Sequence, residues 1–531
     1  MKNLYLIQML VLTVLFASSA LAQRVVNIPQ STDVFNPMDI FPVIMGDTTA
    51  TGERVDNNTI YTLDNGAVYV TSGRIVNKPE WDLQIQAVDL ENTESKPIIS
   101  RLPNASGSFP DIMRPEGNVT IRNLWIVAGE KGALEQHDWG KIRYLGENTR
   151  IIAEDCIIEK DRGGFFQIRA AGIKLYITNC ILRNGGNRRI LQGNGRGVDA
   201  RNFPLDSLVM KNTIVHNLQD RFFRSQGAAE PHKYIEIDNC TAFNVAGRHG
   251  FIQLGRVETA KITDNLFINP IMLGSSPIYT DEQTQPDGDL HKVITVDTLY
   301  ENTNLMITNN NIFWTQDVQD YWASNDTVSA PGVLSELVME SLGDAADDAF
   351  FQELLALNNV PGTILQYVVD LYNNPSAEDM FDFIVEDVTL NGTDFDSGNL
   401  FDFSAFDPCY DLETASASAS TSGGAIGAVF LCPDLLSSTF DAVQAKALNF
   451  TSFPNPTTAA IQMNFELEQP SQVQILVTDL SGRTLATLLQ SKLQAGAHNF
   501  TFDIADRLPK GMYILSLRTD QGWTTQKMVV K

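Results

Sequence analysis

Four short stretches between residues 161 and 254 place arginine close to a second long polar side chain. Each contains an arginine and then two bulky apolar residues directly followed by glutamine or arginine: Arg162 to Gln167, Arg189 to Gln192, Arg221 to Arg224 and Arg248 to Gln253. A guanidinium group binds a carboxylate or sulfate through two parallel hydrogen bonds and stays charged at every relevant pH. The repeated pattern therefore predicts a surface that binds an anionic ligand at several points.

A second repeated mark, an asparagine or aspartate beside apolar residues, precedes these stretches. It occurs at intervals of 24, 33 and 27 residues, at Asp155, Asn179, Asn212 and Asn239, and extends outward to Asn123, Asn265 and Asn310. Residues 174–178 and 234–238 are rich in β-branched and aromatic residues, which predicts short strands between the marks. Strand-containing repeats of this length indicate a solenoid whose coils stack on one core.

These coils resemble the right-handed parallel β-helix proteins of the pectate-lyase-like superfamily, over roughly residues 59–429. The resemblance implies an all-β fold in which the asparagines bond along the stack and Cys156, Cys180 and Cys240 stack inside as reduced, buried thiols. Residues 316–407 are acidic and show helical spacing, so we expect a partly helical insertion that serves as a lid, a lateral cover or a cap. The resemblance also implies that the glycine-rich run 423–430 is the strand that closes the last coil.

The two ends of the chain carry export signals. Residues 1–22 have the lysine, apolar run and Ala-Leu-Ala site of a secretory signal peptide. Phe453-Pro-Asn-Pro456, Asp479-Leu-Ser-Gly-Arg483 and the terminal run 527–531 closely resemble the type A sorting domain of the type IX secretion system of Bacteroidota. We expect a signal peptide (1–22), the β-helix domain (23–435), a linker (436–447) and a small Ig-like β-sandwich (448–531). The resemblance implies a secreted, extracellular or outer-surface protein that engages the type IX machinery, with no transmembrane segment.

Charge is distributed unevenly along the chain. The net charge is −26, yet residues 141–256 hold 18 Lys and Arg against 11 Asp and Glu. Residues 293–445 hold 25 acidic residues and no Lys or Arg. A basic island in an acidic, exported protein predicts an anionic partner at the island and argues against nucleic acid as that partner.

The alternation of side chains along a strand predicts which residues of the basic island face outward. Gln167 and Gln253 each lie between two apolar residues, so they should point outward where their neighbours point inward. We expect Gln192 and Arg224 at the same place in the intervening coils. These outward side chains and the neighbouring arginines are expected to line a groove that binds an acidic polysaccharide. The predicted substrate-binding residues of this groove are Arg162, Gln167, Arg189, Gln192, Arg196, Arg224 and Gln253. The alternative is that the arginines only bridge loops and cap carbonyl groups between coils.

The resemblance to this superfamily implies cleavage of the polysaccharide by β-elimination. That reaction requires a cation to neutralise the uronate carboxylate and a base to take the adjacent proton. Arg221, Arg224 and Arg248 are expected to neutralise, and His249, Arg221 or Lys160 to act as base, with His249 favoured by its intrinsic pKa. The predicted catalytic set is thus Arg221, Arg248 and His249 in a monomeric lyase. A non-catalytic glycan-binding or adhesion protein is the alternative.

Other candidate sites are weaker. The aspartate cluster of calcium-dependent pectate lyases is missing, so no metal or cofactor is predicted, with calcium at residues 394–399 kept as an alternative. Asp199 and Asp220 are candidates for hydrolysis by location only. Cys409 and Cys432 are the pair available for a disulfide, which the sequence does not decide. The remaining candidates, interpreted as structural histidines, are His137, His216 and His232.

The sorting-domain resemblance predicts the effect of a truncation. Deleting residues 448–531 should leave a folded β-helix in the periplasm, since the signal for crossing the outer membrane is lost. Fractionation of cells that express the full-length and truncated chains measures this, and normal surface display of the truncated chain would contradict the assignment.

Overall fold

Two compact units make up the chain. The computed structural model describes residues 23–33, 35–105, 110–127, 142–186, 195–247, 249–275, 292–373, 406–438, 450–458, 460–467, 470–478, 484–504, 508–519 and 522–531. One unit contains residues up to 354 together with 359–407, and the other contains 355–358 and 408–531. The division near residue 408 lies upstream of the boundary predicted at residue 435.

The first unit is a parallel β-helix made of three stacked sheets, which confirms the predicted fold class. The first sheet contains, in spatial order, Val25–Ile28, Ile60–Leu63, Leu83–Ala87, Val119–Arg122, Arg150–Glu154, Ile173–Thr178, Leu205–Lys211, His232–Asp238, Val257–Thr263 and Asn304–Thr308. The second contains Met38–Asp39, Val68–Thr71, Ile98–Arg101, Trp125–Val127, Ile157–Glu159, Ile181–Gly185, Ile214–Leu218, Thr241–Val245, Leu266–Ile268, Asn310–Phe313 and Phe350–Phe351. The third contains Arg143–Tyr144, Phe166–Ile168, Val198–Asp199, Phe223–Arg224, Ile252–Gln253, Lys292–Thr295 and Gly332–Leu334.

A single left-handed residue turns the chain from the first sheet into the second. This position has φ between 47° and 59° and is occupied by Asn123, Asp155, Asn179, Asn212, Asn239, Asp264 and Asn309. Asparagine and aspartate tolerate this conformation better than other non-glycine residues, which explains the repeated mark. Asn265 and Asn310 are shifted by one residue from the predicted position, because Asp264 and Asn309 make the turn.

The turn residues bond along the stack as predicted. Asn212 Nδ2 donates to Asn179 Oδ1 at 2.7 Å, and Asn179 Nδ2 donates to Asp155 Oδ1 at 3.1 Å. Lys96, which is buried, donates to Asn123 Oδ1 at 2.7 Å. A second ladder that sequence reasoning missed follows the second sheet, where successive amides are 3.3 to 3.4 Å apart in Asn184, Asn217, Asn244 and Asn269.

The residue after each turn points into the core and forms an inner ladder. The ladder contains Cys156, Cys180, Thr213, Cys240, Asn265 and Asn310, all buried. The Cys156 backbone N–H lies 3.4 Å from Cys180 Sγ, and the Cys240 N–H donates to Asn265 Oδ1 at 2.8 Å. The three cysteines are free thiols, and burial raises the pKa of Cys240 to about 12. The predicted buried thiols are confirmed, although Thr213 separates Cys180 from Cys240.

Helices cover the ends and one side of the β-helix. Ile40–Gly46 lies at the first coil, where Asp39 Oδ1 caps it by accepting from the Phe41 N–H. Glu336–Leu342 and the 3₁₀ turn Gly343–Asp348 pack on the last strands. Gln316–Ala323 and Leu365–Asn373 pack together beside the turns that follow the second sheet. The described part of the predicted insertion is therefore an end cap and a lateral cover.

The second unit contains a disulfide-linked segment and a β-sandwich. Cys409 and Cys432 form a disulfide, as the sequence allowed. The predicted closing strand at 423–430 is wrong, because Tyr410 Oη donates to the Ile426 carbonyl at 2.7 Å and holds this run as irregular turns. A short 3₁₀ turn, Ala415–Ala417, and a helix, Pro433–Ser438, are its regular elements among the described residues.

The sandwich itself consists of two antiparallel sheets around one apolar core, as predicted. The three-stranded sheet contains Thr451–Phe453, Ala460–Leu467 and Gly496–Asp503. The four-stranded sheet contains Thr484–Leu493, Ser471–Thr478, Gly511–Thr519 and Gly522–Val530.

Burial of His232 predicts a pH dependence of stability. The Leu205 N–H donates to His232 Nδ1 at 2.8 Å, so the ring is neutral, and burial lowers its pKa to about 4. The unfolded chain binds a proton near pH 6.5, so stability falls as pH drops from 6.5 toward 4. Between pH 7 and 5 this single group should cost about 2 kcal/mol of unfolding free energy.

The His232→Asn variant isolates that contribution. It is expected to be less stable at pH 7 but to lose about 2 kcal/mol less than the parent protein on going to pH 5. Denaturant unfolding at both pH values measures the difference, and parallel losses in the two proteins would contradict the assignment.

Candidate functional site

The outward row of the third sheet carries the polar residues of the basic island. Inward positions are apolar and include Phe166, Val198, Phe223 and Ile252. The alternate positions form one row along the stack: Arg143, Gln167, Asp199, Arg224, Gln253 and Thr295. Side-chain parity thus placed three of these residues correctly, but Asp199, and not Gln192, lies between Gln167 and Arg224.

The sequence predicted that this row forms the open floor of a groove. In the structure the row is buried instead. Gln167, Asp199, Arg224 and Gln253 point away from the apolar core, yet each is no more than 6% exposed. Their polar atoms are therefore largely withdrawn from water, and their interactions with each other determine the chemistry of the row.

Six charged residues form what we call the arginine–aspartate cluster: Arg169, Arg196, Asp199, Asp220, Arg221 and Arg224. Arg196 joins its two carboxylates, because Nε donates to Asp220 Oδ2 at 2.7 Å and Nη1 donates to Asp199 Oδ2 at 3.3 Å. Arg169 Nη2 reaches Asp199 Oδ2 at 3.4 Å. The cluster is thus connected across three successive coils.

Arg221 lies inside the cluster, which corrects the expectation of an exposed guanidinium. Its side chain is 3% exposed, and Nε lies 3.3 Å from Asp220 Oδ1. Nη1 donates to Gln253 Oε1 in the next coil at 2.5 Å. Arg221 therefore links its own turn to the outward row, as the structural alternative for these arginines predicts.

The cluster strongly favours ionised carboxylates. Burial alone would raise the pKa of Asp220, but the charges of Arg221 and Arg196 and the hydrogen bonds from His249 outweigh it and hold that pKa well below its usual range. Burial likewise opposes ionisation of Asp199, whose pKa is nevertheless lowered by Arg196, Arg224 and Arg169. Both aspartates are therefore carboxylates at neutral pH, and the cluster of four guanidinium groups and two carboxylates has a net charge of +2.

Asp220 and His249 form a pair at the edge of the cluster. His249 Nδ1 lies 2.8 Å from Asp220 Oδ1, and the His249 backbone N–H donates to the same oxygen at 3.1 Å. Because Asp220 is ionised and can only accept, Nδ1 carries the hydrogen of this contact, and Nε2 is the ring nitrogen on the side away from Asp220. The His249 side chain is 19% exposed, so it is the more accessible member of the pair.

Two donors in the outward row have no described protein acceptor. They are Gln167 Nε2 and Arg224 Nε, both buried. Gln167 Oε1 accepts from Arg169 at 3.2 Å, and Arg224 Nη2 donates to Gln226 Oε1 at 3.1 Å, so the other ends of both side chains are engaged. A buried donor without an acceptor costs about 1 to 3 kcal/mol, so the row holds these two groups at the expense of stability.

The remaining predicted site residues lie elsewhere or outside the described residues. Arg162 is half-buried, and its carbonyl accepts from the Gly195 N–H at 3.0 Å. Lys160 is a buried turn residue with φ of 58°. The predicted residues that lie outside the described part of the chain are Arg189, Gln192, Arg248, His137 and the calcium-loop run 394–399.

The terminal sandwich can be assigned by comparison. Residues 451–531 match the family of secretion system C-terminal sorting domains. The protein is therefore secreted to the cell surface or the extracellular space, and its sorting domain interacts with the secretion machinery. No curated protein matches the chain significantly. Among the described residues, no helix has both the length and the apolar character that a membrane crossing requires.

The contacts of Arg221 predict the result of its substitution. Arg221→Met should destabilise the β-helix by about 3 to 5 kcal/mol, because it removes one partner of a buried ion pair. The loss should be largest near neutral pH and shrink as pH falls, because removing Arg221 raises the folded pKa of Asp220, and protonation of Asp220 then removes the uncompensated charge from the variant.

A matched control is the exposed Arg201 of the same region. Arg201→Met should change the unfolding free energy by no more than about 0.5 kcal/mol. Thermal and denaturant unfolding of both variants provide the comparison, and an Arg221→Met protein as stable as the Arg201→Met protein would show that the buried pair has no structural role.

Proposed function

We propose that this secreted β-helix protein binds an acidic polysaccharide at the arginine–aspartate cluster and cleaves it by β-elimination. The observation that carries the proposal is the cluster's net charge of +2, held by side chains of which most are buried. Guanidinium groups bind carboxylate and sulfate oxygens through charge-assisted hydrogen bonds, so a cluster rich in them suits an anionic substituent.

The Asp220–His249 pair supports cleavage in addition to binding. His249 Nε2 takes the proton from C5 of the uronate, while the Asp220 carboxylate holds Nδ1–H and stabilises the imidazolium that forms. The electron pair of the broken C–H bond first moves onto the uronate carboxylate and then forms the C4–C5 double bond as the C4–O bond breaks. The leaving oxygen takes a proton from the His249 imidazolium, which returns His249 to its starting state. Cluster arginines stabilise the negative charge that develops on the carboxylate.

The other residues of the predicted site have supporting roles in this proposal. Arg196 fixes both carboxylates and so keeps Asp220 in place for His249. Gln253 and Gln167 bind substrate hydroxyl groups or the anionic substituent. The remaining binding and neutralising residues proposed from the sequence are Arg162, Arg189, Gln192 and Arg248. No metal or other cofactor is part of the proposal.

A second candidate function is non-catalytic glycan binding, as in an adhesion protein. The observation that favours it is the existing engagement of Arg196 and Arg221 with Asp220, which fixes their guanidinium groups and suits a rigid binding surface. The two candidates make different predictions about the Asp220–His249 pair, since a binding surface has no need of a base.

Incubation with alginate, pectate, chondroitin sulfate and heparin tests the proposal. Elimination creates an unsaturated uronate with a new ultraviolet absorbance, whereas binding alone does not. His249→Gln should lower the elimination rate by about 100-fold or more and leave polymer binding nearly unchanged. The same substitution at His498, in the sorting domain, should have no effect.

Each result selects one interpretation. Elimination that survives in His249→Gln would exclude His249 as the base. Binding without elimination by the unmodified protein would favour the adhesion function, and neither binding nor elimination on any of the four polymers would contradict both candidates.

A further inference from the structure

One hydrogen bond connects the helix Leu365–Asn373 to the turn that carries Asp220. This helix belongs to the acidic insertion predicted at residues 316–407, which we call the acidic helical segment. Gln219 Nε2 donates to Tyr367 Oη at 2.6 Å, between residues 148 positions apart in the sequence. Both side chains are at most 1% exposed. Gln219 directly precedes Asp220 and Arg221, so Tyr367 contacts the chain one residue from the proposed base pair.

The helix that carries Tyr367 is firmly attached to the β-helix. Its residues Val368 and Leu371 pack in one apolar cluster with Ala246, Met272 and Leu273, which follow strands of the second sheet. The Gly362 carbonyl, just before the helix, accepts from Asn244 Nδ2 of the second asparagine ladder at 3.0 Å. Tyr367 therefore belongs to a fixed support rather than to a mobile lid.

The turn itself is held from two directions. On the side of the preceding coil, the Gln219 N–H donates to the Gly185 carbonyl at 2.9 Å and the Asp220 N–H donates to the Gly195 carbonyl at 3.2 Å. On the other side, Tyr367 holds the Gln219 side chain. Because Asp220 Oδ1 accepts from both the ring and the backbone of His249, the position of this turn sets the orientation of the imidazole.

We propose that Tyr367 is a positioning residue for the Asp220–His249 pair, so that the acidic helical segment forms part of the active site by supporting it from outside. The proposal rests on the proposed function, because it assigns Tyr367 a role in the same elimination reaction. Small displacements of a catalytic group reduce rate more than binding. Loss of the hydroxyl should therefore lower kcat about tenfold and change KM less than twofold.

Tyr367→Phe tests this, with Tyr372→Phe as the matched control. Tyr372 lies on the same helix, and its hydroxyl is 2.6 Å from Thr327 Oγ1 within the acidic segment itself. Each variant loses one hydroxyl from the same helix, so a general weakening of the helix should appear in both. Only Tyr367→Phe should lower kcat, and only it should shift the pH dependence of kcat, because that profile reports the Asp220–His249 pair.

A second measurement does not depend on activity. Hydrogen exchange of the Asp220 amide, which is bonded to the Gly195 carbonyl, should become about tenfold faster in Tyr367→Phe and remain unchanged in Tyr372→Phe. Gln219→Met should have the same effect as Tyr367→Phe, and the double variant should show no additional increase, because both remove one interaction.

These measurements separate the two proposals. If no polymer is cleaved by the unmodified protein, the proposed elimination fails, while the exchange of the Asp220 amide still tests the support by Tyr367. Equal exchange in the parent protein and Tyr367→Phe, or equal changes in the two tyrosine variants, would overturn the positioning role.

Discussion

The backbone hydrogen bonds between coils are the constraint on which the rest of the structure depends. Every strand in the interior of the three sheets bonds only to the equivalent strands before and after it in the stack, so no coil satisfies its own backbone. Stacking requires equal turns in successive coils, and in the seven coils from Val119 to Phe313 a single left-handed residue between the first and second sheets provides them. Asparagine fits this position and also donates from its side chain to the turn of the preceding coil, so one residue both forms the turn and stabilises the stack.

The same stacking creates the candidate site. Register places Gln167, Asp199, Arg224 and Gln253 one above another, about 4.8 Å apart between neighbouring strands. Charged side chains at that spacing must pair or repel, and Arg196 prevents repulsion between Asp199 and Asp220 by bonding to both. A rigid solenoid therefore supplies pre-organisation, since movement of one member of the row would disturb the backbone pairing of its neighbours.

Sequence periodicity was sufficient for the architecture and for the direction of the outward row, because both depend on local rules of turn conformation and strand parity. Periodicity gave wrong predictions where contacts between residues far apart in the sequence determine register and burial. The unequal repeat lengths led to the wrong choice of Gln192, since the strand register pairs Gln167 with Asp199. The exposure of the predicted groove was also misjudged, because Arg221 is buried through its contacts with Asp220 and Gln253. The Gln219–Tyr367 contact spans 148 positions and follows no sequence pattern.

Burial of an outward polar row changes what its charges can do. In water, arginines along a groove would attract a polyanion weakly and with strong dependence on salt. In a site of lower dielectric constant, each charge interacts more strongly with its neighbours, and leaving any of them unpaired is more costly. Within the six residues of the cluster, the carboxylates of Asp199 and Asp220 offset only part of the guanidinium charge. His249, bonded to Asp220 and more exposed than the cluster's buried arginines, lies where this buried network meets the solvent.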